Sequence, residues 1–140
     1  MMAHVGGPES EQSIAERQAS YQEPGSRQFR IFDEETGGAV GWVGYWELTW
    51  RDERVFEIGW SVLPSFQGQG VASSASAQAI ELARTEQRLR YLHAFPSVNN
   101  GPSNAICRRL GFTLMEACEF EYPPGRVMRV HDWAFDLFSA

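Results

Sequence analysis

Residues 55–74 read VFEIGWSVLPSFQGQGVASS, and no other stretch narrows the possible folds as much. Its first nine residues are rich in valine, isoleucine and aromatics, the composition of a buried strand. A proline ends the strand, two glycines stand one residue apart, and small residues then open a helix. Ala72, Ala75, Ala79, Ile80 and Ala83 recur at helical spacing, which predicts a helix to about Leu89. A strand, a glycine loop and a helix in that order call for a sheet with helices packed on it.

The rest of the chain fits such a sheet. Gln28–Asp33 and the aromatic Ala39–Trp50 read as a hairpin around DEETGG, and a polar turn at Arg51–Arg54 leads into a third strand, Val55–Leu63. RYLHAF is a short strand. GPSNAICRRLGF is a short helix ended by Gly111. Two strands, Phe112–Tyr122 and Val127–Leu137, finish the chain around a PPGR turn. Upstream, Gly6–Gly7–Pro8 reads as a turn, and Ser10 as the N-cap of a helix with Glu11 near its positive end. The expected fold class is α/β (α+β), a mixed, mostly antiparallel sheet of about six strands flanked by helices. One domain spans 1–140, with a partial N-terminal region to residue 26 and a core at 27–138.

Composition excludes several function classes. With 43% hydrophobic and 21% charged residues among 140, the chain suits one sizeable core. A formal net charge of −6 repels phosphate backbones, so no nucleic-acid partner is expected. No apolar run approaches bilayer length and no signal segment opens the chain, which predicts a cytoplasmic protein without a membrane partner. Cys107 and Cys118 are too few for a disulfide framework or a zinc site, and no metal is expected.

The glycine loop lacks the third glycine of a dinucleotide fingerprint, since Ser73 stands there, and the lysine of a nucleoside-triphosphate loop. What remains is Gln67-Gly68-Gln69-Gly70-Val71-Ala72, a Q-x-x-G-x-A pattern. Unpaired N–H groups and the positive dipole end of the helix favour an anion. Gly68 and Gly70 can turn successive N–H groups inward, and Ser73 and Ser74 add hydroxyls. A tight turn whose glycines merely relieve strain explains the loop equally well.

EIGWSVLPSFQGQGVA, followed by NNGPSNAICRRLGF, resembles the GNAT superfamily of acetyl-CoA-dependent N-acetyltransferases, closest to the branch that acetylates ribosomal-protein N-termini. The likeness runs from about Gln28 to Leu137. It implies acetyl-CoA as cofactor, with its pyrophosphate on Gln67 to Ala72 and Ser73 as a hydroxyl partner. It also implies a strand splayed from its neighbour whose Ser61, Val62 and Leu63 pair with the pantetheine arm, and Asn100 and Asn104 beside the cofactor. Asn100 could instead cap the short helix. Glu57, ten residues before Gln67, takes the place of the family's general base, where burial would raise its pKa. Cys107 stands where members carry a tyrosine general acid, a departure from the pattern.

For the acceptor pocket the candidates are Trp42, Tyr45 and Trp46, though an aromatic stripe on a strand also suits a core. His93 and His131 are alternative bases. Members of the family usually begin with a strand and helix ahead of the Gly6–Gly7–Pro8 turn region, and this chain is expected to lack them. The resulting open edge of the Gln28–Asp33 strand suggests a homodimer. The expected function is direct acetyl transfer to a primary amine of a small molecule or peptide N-terminus. The alternative is a degenerate coenzyme A-binding sensor or regulatory module.

Overall fold

Among the described residues, strand alternation and helical periodicity are realised in a single sheet with two helices on one face. The computed structural model describes residues 3–8, 26–33, 35–121 and 124–139, the first of these as backbone alone. The strands are β1 (Ala3–Pro8), β2 (Arg27–Asp33), β3 (Ala39–Trp50), β4 (Glu53–Val62), β5 (Tyr91–Ala94), β6 (Thr113–Glu121) and β7 (Val127–Asp136). The helices are α1 (Val71–Glu86) and α2 (Gly101–Leu110), with a short 3-10 turn at Pro64–Phe66. The sheet order is β1-β2-β3-β4-β5-β7-β6, antiparallel throughout except for the β4–β5 pair.

Local chemistry sets these elements. Arg51 and Asp52 both take positive φ, 53° and 67°, the backbone twist that a two-residue hairpin turn requires. Asp33 fixes the preceding hairpin by accepting from Glu35 N–H and the Thr36 hydroxyl. Helix α1 stops at Glu86, three residues short of Leu89, because Gln87 turns left-handed at φ 55°.

Alternation gives the sheet two distinct faces. Phe29, Ile31, Val43, Tyr45, Phe56 and Ile58 form the face under α1, which meets them with Ala75, Ala79, Ile80 and Ala83. Small helix residues let α1 lie close on β3 and β4. Trp42, Trp46 and Trp50 point to the opposite face, where Trp46 stands opposite Glu57.

Two sequence expectations are corrected at the N-terminus. Gly6–Gly7–Pro8 is no free turn but the end of β1, where the pairing shifts register between Val5 and Pro8. Glycines in a strand accommodate such irregularities, and proline is tolerated at a sheet edge. Strand β1 joins the sheet, which has seven strands among the described residues, and covers the edge of β2 that was to be left open to a partner. The helix expected from Ser10 lies outside the described residues. No helix among the described residues is long and apolar enough to cross a membrane.

One topological fact positions the site. Strands β4 and β5 pair only at Phe56–Leu92 and Glu57–His93. Beyond that rung they part, so β4 continues from Ile58 to Val62 bonded to β3 alone.

Candidate active site

The widening gap beside β4 leads into a cleft of about 400 Å³ between the glycine loop and α2. The loop holds its shape through Gln67, whose Nε2 donates to the Val62 carbonyl at 3.0 Å. Gly68 and Gly70 both have φ +78°, and a Cβ on either would meet nothing within 4 Å. It is therefore the left-handed backbone, not crowding, that calls for glycine here. Gly70 is also the N-cap of α1 and has no side chain to occupy the first-turn N–H groups.

Of the residues expected at the cofactor, Ser61, Val62, Gln67, Gly68, Gly70, Val71, Ala72, Ser73 and Asn100 line this cleft. Three others are spent elsewhere. The Leu63 N–H donates to the Val40 carbonyl, and its side chain is half exposed. Gln69 bonds the Ser65 carbonyl on the outside of the loop. Asn104 is buried, and its amide is fully used. Its Nδ2 donates to the carbonyls of Ser97 and Asn100, and its Oδ1 accepts from Trp133 Nε1 and meets His131 Nδ1. Asn104 thus ties the 97–100 loop to β7 instead of reaching the cleft. Asn100 does both things considered for it, accepting from Ser103 N–H as the α2 cap while lining the cleft.

Sequence reading missed the far wall. Trp60, Ser103, Ile106 and Arg109 line it, with Trp60 Nε1 donating to Ser103 Oγ and Arg109 Nη1 donating to Ser73 Oγ at 3.0 Å. The signal was available, because residues 103, 106 and 109 share one stripe of α2 at helical spacing. The cleft therefore combines uncapped helix N–H groups, a guanidinium across its mouth and an unpaired strand edge. Those groups fit a diphosphate joined to an extended amide chain.

A smaller cleft of about 180 Å³ adjoins the first, sharing Trp60, Asn100 and Ser103, and Glu57 lines it with Phe95 and Pro96. Glu57 is 9% exposed, and Trp46 Nε1 donates to its Oε1 at 2.9 Å. Burial pushes its carboxyl up to about 7, the Trp46 bond opposing only part of that rise. Gly59 makes room above it, since a Cβ there would stand 2.9 Å from Trp46 Cη2 and 3.5 Å from Trp42 Cη2.

Tyr45 departs from the acceptor-pocket expectation. It points to the other face, is buried in the core, and gives its hydroxyl to Glu86, with burial raising its pKa. Cys107 departs from the general-acid expectation in the same way. It is fully buried under α2, away from both clefts, and burial pushes its thiol up to about 12. A group on the α2 stripe that faces the sheet meets no ligand in the cleft. Cys107→Ala should therefore leave kcat within about twofold, while a small cavity lowers Tm by roughly 3–8 °C. Turnover assays beside thermal unfolding check this, and a large kcat loss at unchanged stability would contradict the placement.

Residues 1–113 of the 140 match the family model described as an acetyltransferase (GNAT) domain. The chain belongs to the GNAT acetyltransferases. GNAT enzymes are N-acetyltransferases that use acetyl-CoA. Solved structures agree with the fold. Ribosomal-protein-S5-alanine acetyltransferase from Vibrio fischeri superposes with a TM-score of 0.70 at 19% identity, over 91% of this GNAT chain and 68% of that one. RimL, a ribosomal L7/L12 alpha-N-protein acetyltransferase in complex with coenzyme A, gives 0.66 at 25% identity, over 88% and 66%. A spermidine N-acetyltransferase SpeG chimera from Vibrio cholerae and hSSAT gives 0.69 at 20% identity, over 92% and 78%.

Proposed function

We propose that this GNAT chain transfers the acetyl group of acetyl-CoA directly to a primary amine, with Glu57 as general base. The observation that carries the reading is Glu57 itself, a buried carboxyl lining the small cleft where β4 and β5 part, its pKa raised by burial. Acetyl-CoA supplies the activated thioester. The N–H groups at 71–73 and the Gly68–Gly70 loop would hold its pyrophosphate, with Arg109 adding a positive charge. The open side of β4 at Ser61 and Val62 would align the pantetheine arm as an added strand.

An acceptor amine titrates near ~10.4 and arrives protonated, so a base must free its lone pair. Glu57, acting through water, can do so because its own pKa lies near the working pH. The leaving thiol titrates near ~8.5, so departure needs no acid from the buried Cys107. Most of the rate gain would come from holding thioester and amine together.

The acceptor we favour is a peptide N-terminus or a polyamine, which the ribosomal-protein and spermidine acetyltransferases support by analogy. Trp42, half-buried on the same face as Glu57, would offer aromatic surface to such a cation, whereas Trp46 is buried and spends its N–H on Glu57. The proposal has the protein act in the cytoplasm without a nucleic-acid partner, its net charge of −6 repelling phosphate backbones. The homodimer loses its motive, because β1 covers the edge that suggested it. A second reading, a coenzyme A-binding sensor without turnover, draws on the burial of Cys107 and the lack of an acid in its place.

The test is thiol release from acetyl-CoA with a panel of peptides and polyamines from pH 6 to 9. The enzyme reading expects turnover whose kcat/KM rises through a limb near pH 7. Micromolar acetyl-CoA binding with no turnover on any amine would favour the sensor.

A further inference from the structure

Glu57 and His93 form the last rung of the β4–β5 pairing, so their side chains stand side by side on one face. His93 is 8% exposed, and its Nδ1 lies 2.6 Å from Asp132 Oδ1. Asp132 is 3% exposed, and its other oxygen accepts from Trp50 Nε1 at 3.2 Å. An ionised carboxylate only accepts, so Nδ1 donates to Asp132, and a ring with a single proton leaves Nε2 its lone pair. The ring stacks on Phe95, 5.7 Å between centroids, and Phe95 lines the small cleft with Glu57. From β3 to β7, the other ionisable groups that alternation places on this face among the described residues are Glu53 of β4, Tyr91 of β5, Asp136 of β7, held by Arg90, and Glu116 and Cys118 of β6, with Arg51 in the β3–β4 turn. Arg51 is paired with Glu116, and burial with the Asp132 charge keeps the Cys118 thiol protonated.

A proton count gives this pair a task. An alkylammonium loses two protons on becoming an amide. One leaves on the released coenzyme A thiol, and one must reach solvent. Glu57 has room for one at a time. We propose that the His93–Asp132 pair is the second proton site of acetyl transfer, taking from Glu57 the acceptor's first proton so that Glu57 is ionised again when the amine attacks. The N–H bond of the ammonium breaks, the proton passes through Glu57 to His93 Nε2, and Asp132 stabilises the imidazolium. His93 acts through Glu57 and touches no substrate. The assignment rests on the reading of Glu57 as base.

His93→Asn tests it, because the asparagine amide can still donate to Asp132 yet cannot titrate. We expect the acetyl-CoA Kd and amine KM to stay within about twofold, while kcat below pH 8 falls at least about tenfold and added imidazole restores part of it. Independently of turnover, the His93 imidazole resonances should show two inflections with pH in the parent chain and one in Glu57→Gln. A His93→Asn kcat–pH profile that superposes on the parent's overturns the proposal, as does a His93 titration unchanged by Glu57→Gln. Should His93→Asn fail to fold, Asp132→Asn takes its place with the same expected loss. A parent chain that binds acetyl-CoA and acetylates no amine brings down the base reading and this assignment together. Turnover with an unmoved profile brings down only this one.

Discussion

Glu57→Gln should abolish most acetyl transfer, lowering kcat by roughly 10²- to 10⁴-fold, while acetyl-CoA binds as before. The same change should stabilise the chain at pH 8. Glutamine keeps the volume and can still accept from Trp46 Nε1, but it carries no charge to bury. The sign follows from the raised pKa. Below the ordinary 4.5 the carboxyl is protonated whether the chain is folded or unfolded, and burial costs nothing. As pH climbs towards 7 the unfolded chain releases this proton while the folded chain retains it, so stability is lost across that window. The loss is on the order of 3 kcal/mol at pH 8, from ~1.4 kcal/mol per pKa unit. Denaturant titrations at pH 4 and pH 8 should show Glu57→Gln gaining stability only at the higher pH. Equal gains at both would mean that Glu57 is ionised without cost, and retained turnover would remove it as the base.

Gly70→Val should weaken acetyl-CoA binding by about 5- to 150-fold, whereas Gly70→Asn should be far milder. The free space around Gly70 rules out a steric clash, since a Cβ there meets nothing within 4 Å. What remains is the dihedral. A β-branched residue at φ +78° is strained by roughly 1–3 kcal/mol. Relieving that strain turns the peptide and swings the first-turn N–H groups away from the cleft. Asparagine visits this region more readily than valine. Calorimetric titration of both variants decides the matter, and equal affinity for Val and Asn would show that loop conformation is irrelevant to binding.

Both predictions concern residues that the linear pattern already marked, and the reason is physical. The 55–74 stretch carries its own instructions: a buried run for β4, proline to stop it, positive-φ glycines and alanines at helical spacing. Such rules are local, and local rules survive without knowledge of the rest of the chain. The strands β2 to β7 and both described helices follow from the same kind of signal.

The failures share an opposite cause. Gly6–Gly7–Pro8 looked like a turn because glycine and proline punctuate chains. Only β2, some twenty residues away, makes it an edge strand. Tyr45 shares its strand with Trp42 and Trp46, and Cys107 stands four residues before the Gly111–Phe112 pair, but neither position says which way the side chain faces. Which face of β3 meets α1, and which stripe of α2 meets the sheet, is settled by packing.

Sequence by itself determined the sheet-and-helix architecture, the glycine loop at the head of a helix and the position of a carboxyl inside an apolar strand, because each is written in contiguous residues. Tertiary structure alone decided that β4 and β5 part just after Glu57, that Arg109 closes the cleft over Ser73, and that His93 and Asp132 meet beside Glu57. Those arrangements join residues 36 to 39 positions apart, and only burial of the shared core brings them within hydrogen-bond reach.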